Sequence, residues 1–228
     1  MTQPPEIIRD FLPREQFETF ATNAMTFPHY QACPVTALQS EDDGSISTFG
    51  ENLKTENVRR EETMFQAVCF FRNQYYATDF YTINYQFIEQ IAKLLNVKKW
   101  WIIRINATTS AGEHYMGSFH TDYNDFTQPY QYRNGKTAIY YLNSNNGGTK
   151  FNDKDGLFVQ SKANTLVKFP TLTPHAGVWC TDAKLRFVVN FNYEEHDGDT
   201  DDSLSLIHIS EPTRPERISY GVLCLKKK

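Results

Sequence analysis

The sequence predicts a mainly β domain, a β-sandwich or jelly roll with two helices near its N-terminus, on three observations. Residues 99–193 break into short apolar runs separated by Asn, Gly, Asp and Pro, the punctuation of many short strands and not of βαβ units. Two upstream segments carry apolar residues at helical spacing. At 228 residues the chain can bury a sizeable core without covalent staples.

Taken in order, Pro13 to Met25 reads as a helix, with Pro13 in the first turn and Phe17, Phe20, Ala21 and Ala24 on one face. Gln31 to Glu61 is polar and turn-rich, either a surface connection or a lid over a pocket. Thr63 to Phe71 is apolar and fits a strand or a short helix. Asp79 to Val97 gives the clearest helical period, with Phe80, Ile83, Phe87, Ile88, Ile91, Leu94 and Leu95 as its inward stripe. Strands are then expected at Lys99–Thr108, His114–His120, Thr137–Asn143, Thr149–Asn152, Gly156–Gln160, Asn164–Phe169, Ala176–Trp179 and Leu185–Tyr193. Ser203 to Lys228 follows an acidic break and continues no period of the domain. It resembles tails produced by read-through of non-coding sequence, and is expected to be artefactual or disordered. The organisation expected is one domain over 1–202 and a separate tail over 203–228.

Bulk properties narrow the function classes. The formal net charge is -4, which gives no basic footprint for a nucleic-acid partner. Cys33, Cys69, Cys180 and Cys224 show no CxxC spacing and read as free thiols of a reducing compartment. No apolar run is long enough to span a bilayer. The first residues lack the basic and apolar regions of a signal peptide. The expectation is a cytoplasmic protein with no membrane partner, its oligomeric state open.

Chemistry concentrates between Phe119 and Tyr193. His120 and Asp122 stand two apart in an extended segment, so both side chains face one side. His175 follows Thr173-Pro174, where the proline stiffens the entry to the next strand. Two imidazoles and one carboxylate without a thiolate suit a non-haem ferrous ion bound on one face. On the last strand Arg186, Val188 and Asn190 alternate with Leu185, Phe187, Val189 and Phe191. The first set makes a polar face on which Arg186 can take a carboxylate with its planar fork. Taken singly, each residue also has a structural explanation: a histidine paired with a carboxylate, a histidine bonded to backbone, a surface ion pair.

The pieces HTD, TPHAG and LRFVVNFNY, in this order, resemble the 2-oxoglutarate- and Fe(II)-dependent oxygenases, and in particular small prolyl-hydroxylase-like members encoded by phages. The run Ala138–Phe151 is similar to the strand and Asn/Gly hairpin of that family, and FLPREQFETF…FPHY to its N-terminal helix. The resemblance covers residues 6 to 195 and implies a double-stranded β-helix core with the N-terminal helices packed on one sheet. It implies His120, Asp122 and His175 as iron ligands, and Arg186 with Tyr141 at the distal carboxylate of 2-oxoglutarate. The family's tyrosine upstream of HxD has no clear counterpart, so Asn106 or Thr108 stands in its place. Asn190, on the Arg186 face, joins the cosubstrate site. The implied cofactors are Fe(II), 2-oxoglutarate and O2. The implied reaction hydroxylates an unactivated C–H bond, with succinate and CO2 released, on a prolyl or other side chain of a protein or peptide. A small-molecule hydroxylase of the same superfamily, and a non-catalytic jelly roll that binds metal or sugar or belongs to a virion, are the alternatives. The aromatic segment from Tyr123 to Tyr132 reads equally as pocket wall and as ordinary loop.

Overall fold

The computed structural model describes residues 3–27, 31–34, 63–71, 74–75, 78–110, 113, 115–122 and 135–196, all within the compact unit Met1–Asp197. Most of the Gln31–Glu61 connection, the Tyr123–Tyr132 segment, and the tail Ser203–Lys228 lie outside the described residues.

The elements are β1 (Glu6–Arg9), α1 (Arg14–Met25), β2 (Gln31–Pro34), β3 (Thr63–Phe71), β4 (Gln74–Tyr75), α2 (Thr78–Leu94), β5 (Val97–Thr109), β6 (Gly135–Tyr141), β7 (Gly148–Phe151), β8 (Phe158–Gln160), β9 (Thr165–Pro170), β10 (His175–Val178) and β11 (Leu185–Glu195). Among the described residues they form an eight-stranded sheet in the order β1-β9-β6-β11-β5-β3-β2, with β4 on β3, and a three-stranded sheet in the order β10-β7-β8. Every pairing is antiparallel. This is the jelly-roll core, mainly β with flanking helices, that the strand spacing predicts.

Strand alternation divides the large sheet into two working faces. On one, Ile103, Ile105, Tyr140, Leu166, Val189, Phe191 and Tyr193 pack with Phe20, Ala21 and Ala24 of α1 and Phe80, Ile88 and Ile91 of α2. On the other, Ile139, Tyr141, Val167, Phe169 and Val188 meet Phe151 and Val159 of the small sheet. Each fully buried Leu, Ile or Phe contributes about 1.5–3 kcal/mol, so the helices hold the sheet through this apolar face. The second face is left to build a pocket. Gly148 lets β7 pass between its neighbours: an added Cβ would stand 2.2 Å from the Val159 carbonyl oxygen.

The helices differ from expectation in detail. Pro13 is the N-cap of α1, with extended ψ, and not part of its first turn. α2 ends at Leu94; Asn96 takes a left-handed φ of 55° that turns the chain, and Val97 opens β5. Within α2, Ile83 and Leu94 are 65% and 53% exposed, while Tyr81 and Asn84 are buried. The buried row runs through 80, 84, 88, 91 and 95, so Ile83 and Leu94 fall to its flanks. Asn84 tolerates burial because its amide donates to the Phe80 carbonyl and its oxygen accepts from the Asn23 amide.

The strands also show departures. β1 and β2 are unanticipated additions to the large sheet. The expected strand at His114–His120 is not one: Met116 and His120 form single antiparallel bridges to Val178 and His175. Gly117 and Ser118 between them offer no apolar or β-branched side chains to sustain a ladder.

Asn164 fastens the N-terminal segment to the large sheet. At a left-handed φ of 60°, its Oδ1 accepts from the Leu12 N–H at 3.0 Å and the Tyr140 hydroxyl at 2.7 Å, and its Nδ2 donates to the Leu12 carbonyl at 2.8 Å. Replacing Asn164 with Ala strands the buried Tyr140 hydroxyl and two backbone groups; the expected loss is about 2–4 kcal/mol by urea unfolding. Asn164→Gly should recover only the backbone part of that loss.

Candidate metal centre

His175 opens β10 and is held on every side. Its ring meets that of Phe169 edge to face, with centroids 4.8 Å apart, and its side chain is 3% exposed. Its backbone exchanges both hydrogen bonds with His120: each N–H donates to the other's carbonyl at 2.9 Å. That reciprocal bridge brings the two imidazoles to a centroid distance of 4.7 Å.

Local hydrogen bonds then fix which nitrogen each ring presents. His120 Nδ1 lies 3.1 Å from the Ser118 carbonyl and His175 Nδ1 lies 3.0 Å from the Thr173 carbonyl. A carbonyl can only accept, so in each ring Nδ1 carries a proton and Nε2 is the nitrogen turned toward the site. Both Nε2 atoms are 3.7 Å from the same oxygen, Asp122 Oδ1. The other oxygen, Oδ2, accepts from the Asn192 amide at 3.0 Å, and that amide also reaches Thr137 Oγ1 at 2.8 Å. The carboxylate is thus turned so that one oxygen joins the imidazoles. The three donor atoms lie within 4.8 Å of one another.

Electrostatics keep this set ready to bind a cation. Burial, with the neighbouring His175, pushes His120 down to about 4, so its ring is neutral at ordinary pH. Burial alone would raise the Asp122 carboxyl, but His175, His120, Arg104 and the Asn192 amide outweigh it and hold it below its usual range. Two imidazoles and one carboxylate, without thiolate, form the donor set that suits a ferrous ion with further positions open.

The pocket beside the triad is floored by β5 and β11. Thr108, Asn106 and Arg104 stand opposite Arg186, Val188 and Asn190 across the ladder, and all six line the pocket with Thr149, Gly177 and Trp179. Arg186 is 5% exposed. Burial lowers its pKa, with Tyr141 opposing that. Among the described residues no carboxylate pairs with it; its guanidinium lies 3.5 Å from Thr149 Oγ1 and is held by the Tyr141 hydroxyl, while its Nε has no partner. The buried atoms Asn106 Oδ1, Thr108 Oγ1 and Asn190 Oδ1 are likewise without partners. A buried cation ringed by unfilled polar atoms is costly unless an anion completes it. Tyr141 is fully buried behind the lining. Its hydroxyl donates to Thr149 Oγ1 at 2.8 Å, and its ring stands 5.5 Å from the Arg186 guanidinium carbon.

His120, Asp122, His175, Arg186, Asn106, Thr108 and Asn190 therefore line one pocket with Tyr141 against it, and Arg186 is buried instead of forming a surface pair. Arg104 and Asn192 are the participants that sequence reasoning missed. Both were legible in strand alternation, Arg104 with Asn106 and Thr108, and Asn192 with Arg186 and Asn190. Met64 and Gln66 of β3 also border the pocket, but nothing in their apolar run distinguishes them.

No family model and no curated protein sequence matches the chain. Solved structures do share its fold. A prolyl hydroxylase from Trichoplax adhaerens, in complex with a hypoxia inducible factor peptide fragment, superimposes with a TM-score of 0.52 at 11% identity, over 84% of this chain and 83% of that one. A 2OG-Fe(II) oxygenase family oxidoreductase from Burkholderia pseudomallei gives 0.53 at 11% identity, over 85% of each. The non-haem alpha-ketoglutarate-dependent epimerase SnoN from nogalamycin biosynthesis gives 0.53 at 12% identity, over 84% of this chain and 77% of that one. At these identities the likeness is one of fold. No helix among the described residues is long and apolar enough to cross a membrane.

The Asn192 amide is expected to set metal affinity without touching the metal. Asn192→Ala should weaken Fe(II) binding, titrated without oxygen, by about 10–100-fold. His175→Ala should abolish it, with both variants still cooperatively folded by thermal melting.

Proposed function

We propose that the protein is an Fe(II)- and 2-oxoglutarate-dependent dioxygenase that hydroxylates an unactivated C–H bond of a prolyl or other side chain in a protein or peptide. The observation that carries this reading is the coincidence, in one pocket, of the His120–Asp122–His175 donor set and the buried, unpaired Arg186. The domain assigned to it is 1–202, with 203–228 apart.

His120, Asp122 and His175 hold the iron, and Arg186 receives the distal carboxylate of 2-oxoglutarate. Tyr141 backs the guanidinium, and Asn106, Thr108 and Asn190 supply polar atoms along the same floor. When bound, iron and 2-oxoglutarate supply the oxidation: one atom of O2 enters succinate, one enters the hydroxylated product, and CO2 is lost. This chain contributes fixed ligand geometry, an anion-complementary pocket and exclusion of water. The peptide held by the Trichoplax adhaerens enzyme favours a protein or peptide substrate. A small-molecule substrate is the second reading, favoured by the similarity to SnoN, which is also solved with nogalamycin RO.

With Fe(II), 2-oxoglutarate and O2, the purified protein should release succinate slowly without substrate and faster with the right one. His120→Ala and His175→Ala should each abolish both rates. Full turnover by either variant would sink the assignment. Arg186→Gln should act differently, raising the 2-oxoglutarate concentration needed for half-maximal rate at least about tenfold, as expected for loss of a charged, bidentate partner.

A further inference from the structure

The cosubstrate reading leaves a second arginine of the pocket without a role. Arg104 stands on β5 with Asn190 of β11 on one side and Val68 of β3 on the other. It lines the pocket and is half-buried. Its Nε is enclosed without a hydrogen-bond partner. Among the described residues no carboxylate forms an ion pair with it. Asp122, the acidic group of the pocket, is already turned toward the two imidazoles and the Asn192 amide.

Two arguments say that an anion belongs there. Arg104 lines the same pocket as His120 and Asp122, and its charge bears on both. A fixed cation beside a cation-binding triad opposes metal binding unless something offsets it. The loaded site supplies no such offset. Ferrous iron with one Asp122 carboxylate, and 2-oxoglutarate dianion with Arg186, sum to no net charge, and Arg104 remains as the surplus. The two arginines also leave the floor from different places. Arg186 pairs with Thr108 in the ladder and Arg104 with Asn190, four residues along β5, which is about 13 Å at strand rise.

We propose that Arg104 is a specificity-determining residue that receives a carboxylate of the substrate, selecting acidic substrates over neutral ones of the same shape. The proposal rests on the oxygenase reading of the site. The planar fork of Arg104 suits a carboxylate bidentately, and its half-buried position on the pocket lining, which Met64 and Gln66 share, keeps it within reach of a ligand there. The carboxylate has two chemical sources, the main-chain terminus of a free amino acid or an Asp or Glu side chain of a peptide.

The test is calorimetric titration under nitrogen of the protein loaded with Fe(II) and 2-oxoglutarate, using two matched pairs of probes. N-acetyl-L-proline against N-acetyl-L-prolinamide presents the main-chain carboxylate. Acetylated and amidated Gly-Pro-Glu-Gly against Gly-Pro-Gln-Gly presents the side-chain one. The wild type should bind the acidic member of one pair about tenfold more tightly than its amide, and that pair identifies the source. Arg104→Gln should erase the preference, and should bind Fe(II) no more weakly than wild type, an outcome that a merely structural arginine would not give. Arg104→Lys, which keeps the charge but loses the fork, should retain part of the preference. Equal binding within both pairs by the wild type overturns the proposal, whatever the variants do. So does a preference that survives in Arg104→Gln. Failure of the wild type to bind Fe(II) and 2-oxoglutarate jointly overturns the oxygenase reading and this inference with it, a result distinct from joint binding without an acidic preference.

Discussion

Two backbone hydrogen bonds, the reciprocal pair between His120 and His175, are the constraint on which the site depends. They join an irregular segment to the first residue of β10, which is registered on β7 through His175↔Phe151. The small sheet thereby fixes where both imidazoles start. Each ring is then turned by a carbonyl two residues earlier in its own chain. The large sheet adds the third donor indirectly, since Asn192 of β11 grips the Asp122 oxygen that does not face the rings. A metal centre assembled this way needs both sheets in register. It draws its precision from backbone and amide hydrogen bonds and not from the ligands themselves.

The same division of labour explains why the pocket can be polar at all. Fold stability comes from the face of the large sheet that carries the helices, where Phe20, Phe80, Ile88 and Ile91 meet Ile103, Ile105, Val189 and Phe191. On the opposite face β5 and β11 are free to place Thr108, Asn106, Arg104, Arg186 and Asn190 side by side. Burying the Arg186 guanidinium, part of Arg104 and several unpartnered amide and hydroxyl oxygens is expensive. The apolar layer beneath offsets that cost, and an anion bound there would recover part of it. A binding site whose floor is a strained electrostatic surface is one built to be completed by ligand.

The sequence made the chemistry more legible than the connections. Strand alternation at Leu185–Tyr193 correctly separated a packing face from a polar face, because a period of two leaves no ambiguity once the strand is long. The HxD and TPH pieces mark the three residues whose donor atoms the fold brings within 4.8 Å of one another, and Arg186 lines the same pocket. Four features escaped. β1 and β2 are only four residues each, too short for periodicity to rise above background. The α2 stripe was drawn too wide because Ile83 and Leu94 are apolar, although one helical face cannot include them together with Asn84. The His114–His120 segment was read as a strand from its position; its bridges come from the partner β10 and not from its own residues. Arg104 was visible in the same alternation that exposed Asn106 and Thr108, and went unnoticed because a lone arginine in a tryptophan- and isoleucine-rich run has no motif around it.

The central claim is that one pocket takes iron through His120, Asp122 and His175 and 2-oxoglutarate through Arg186 at the same time. Visible absorption spectroscopy without oxygen tests it most directly. Addition of 2-oxoglutarate to the protein with Fe(II) should produce a visible charge-transfer band that requires both components and decays when air is admitted. Binding of zinc alone, or Fe(II) binding with no spectral response to 2-oxoglutarate, would contradict it.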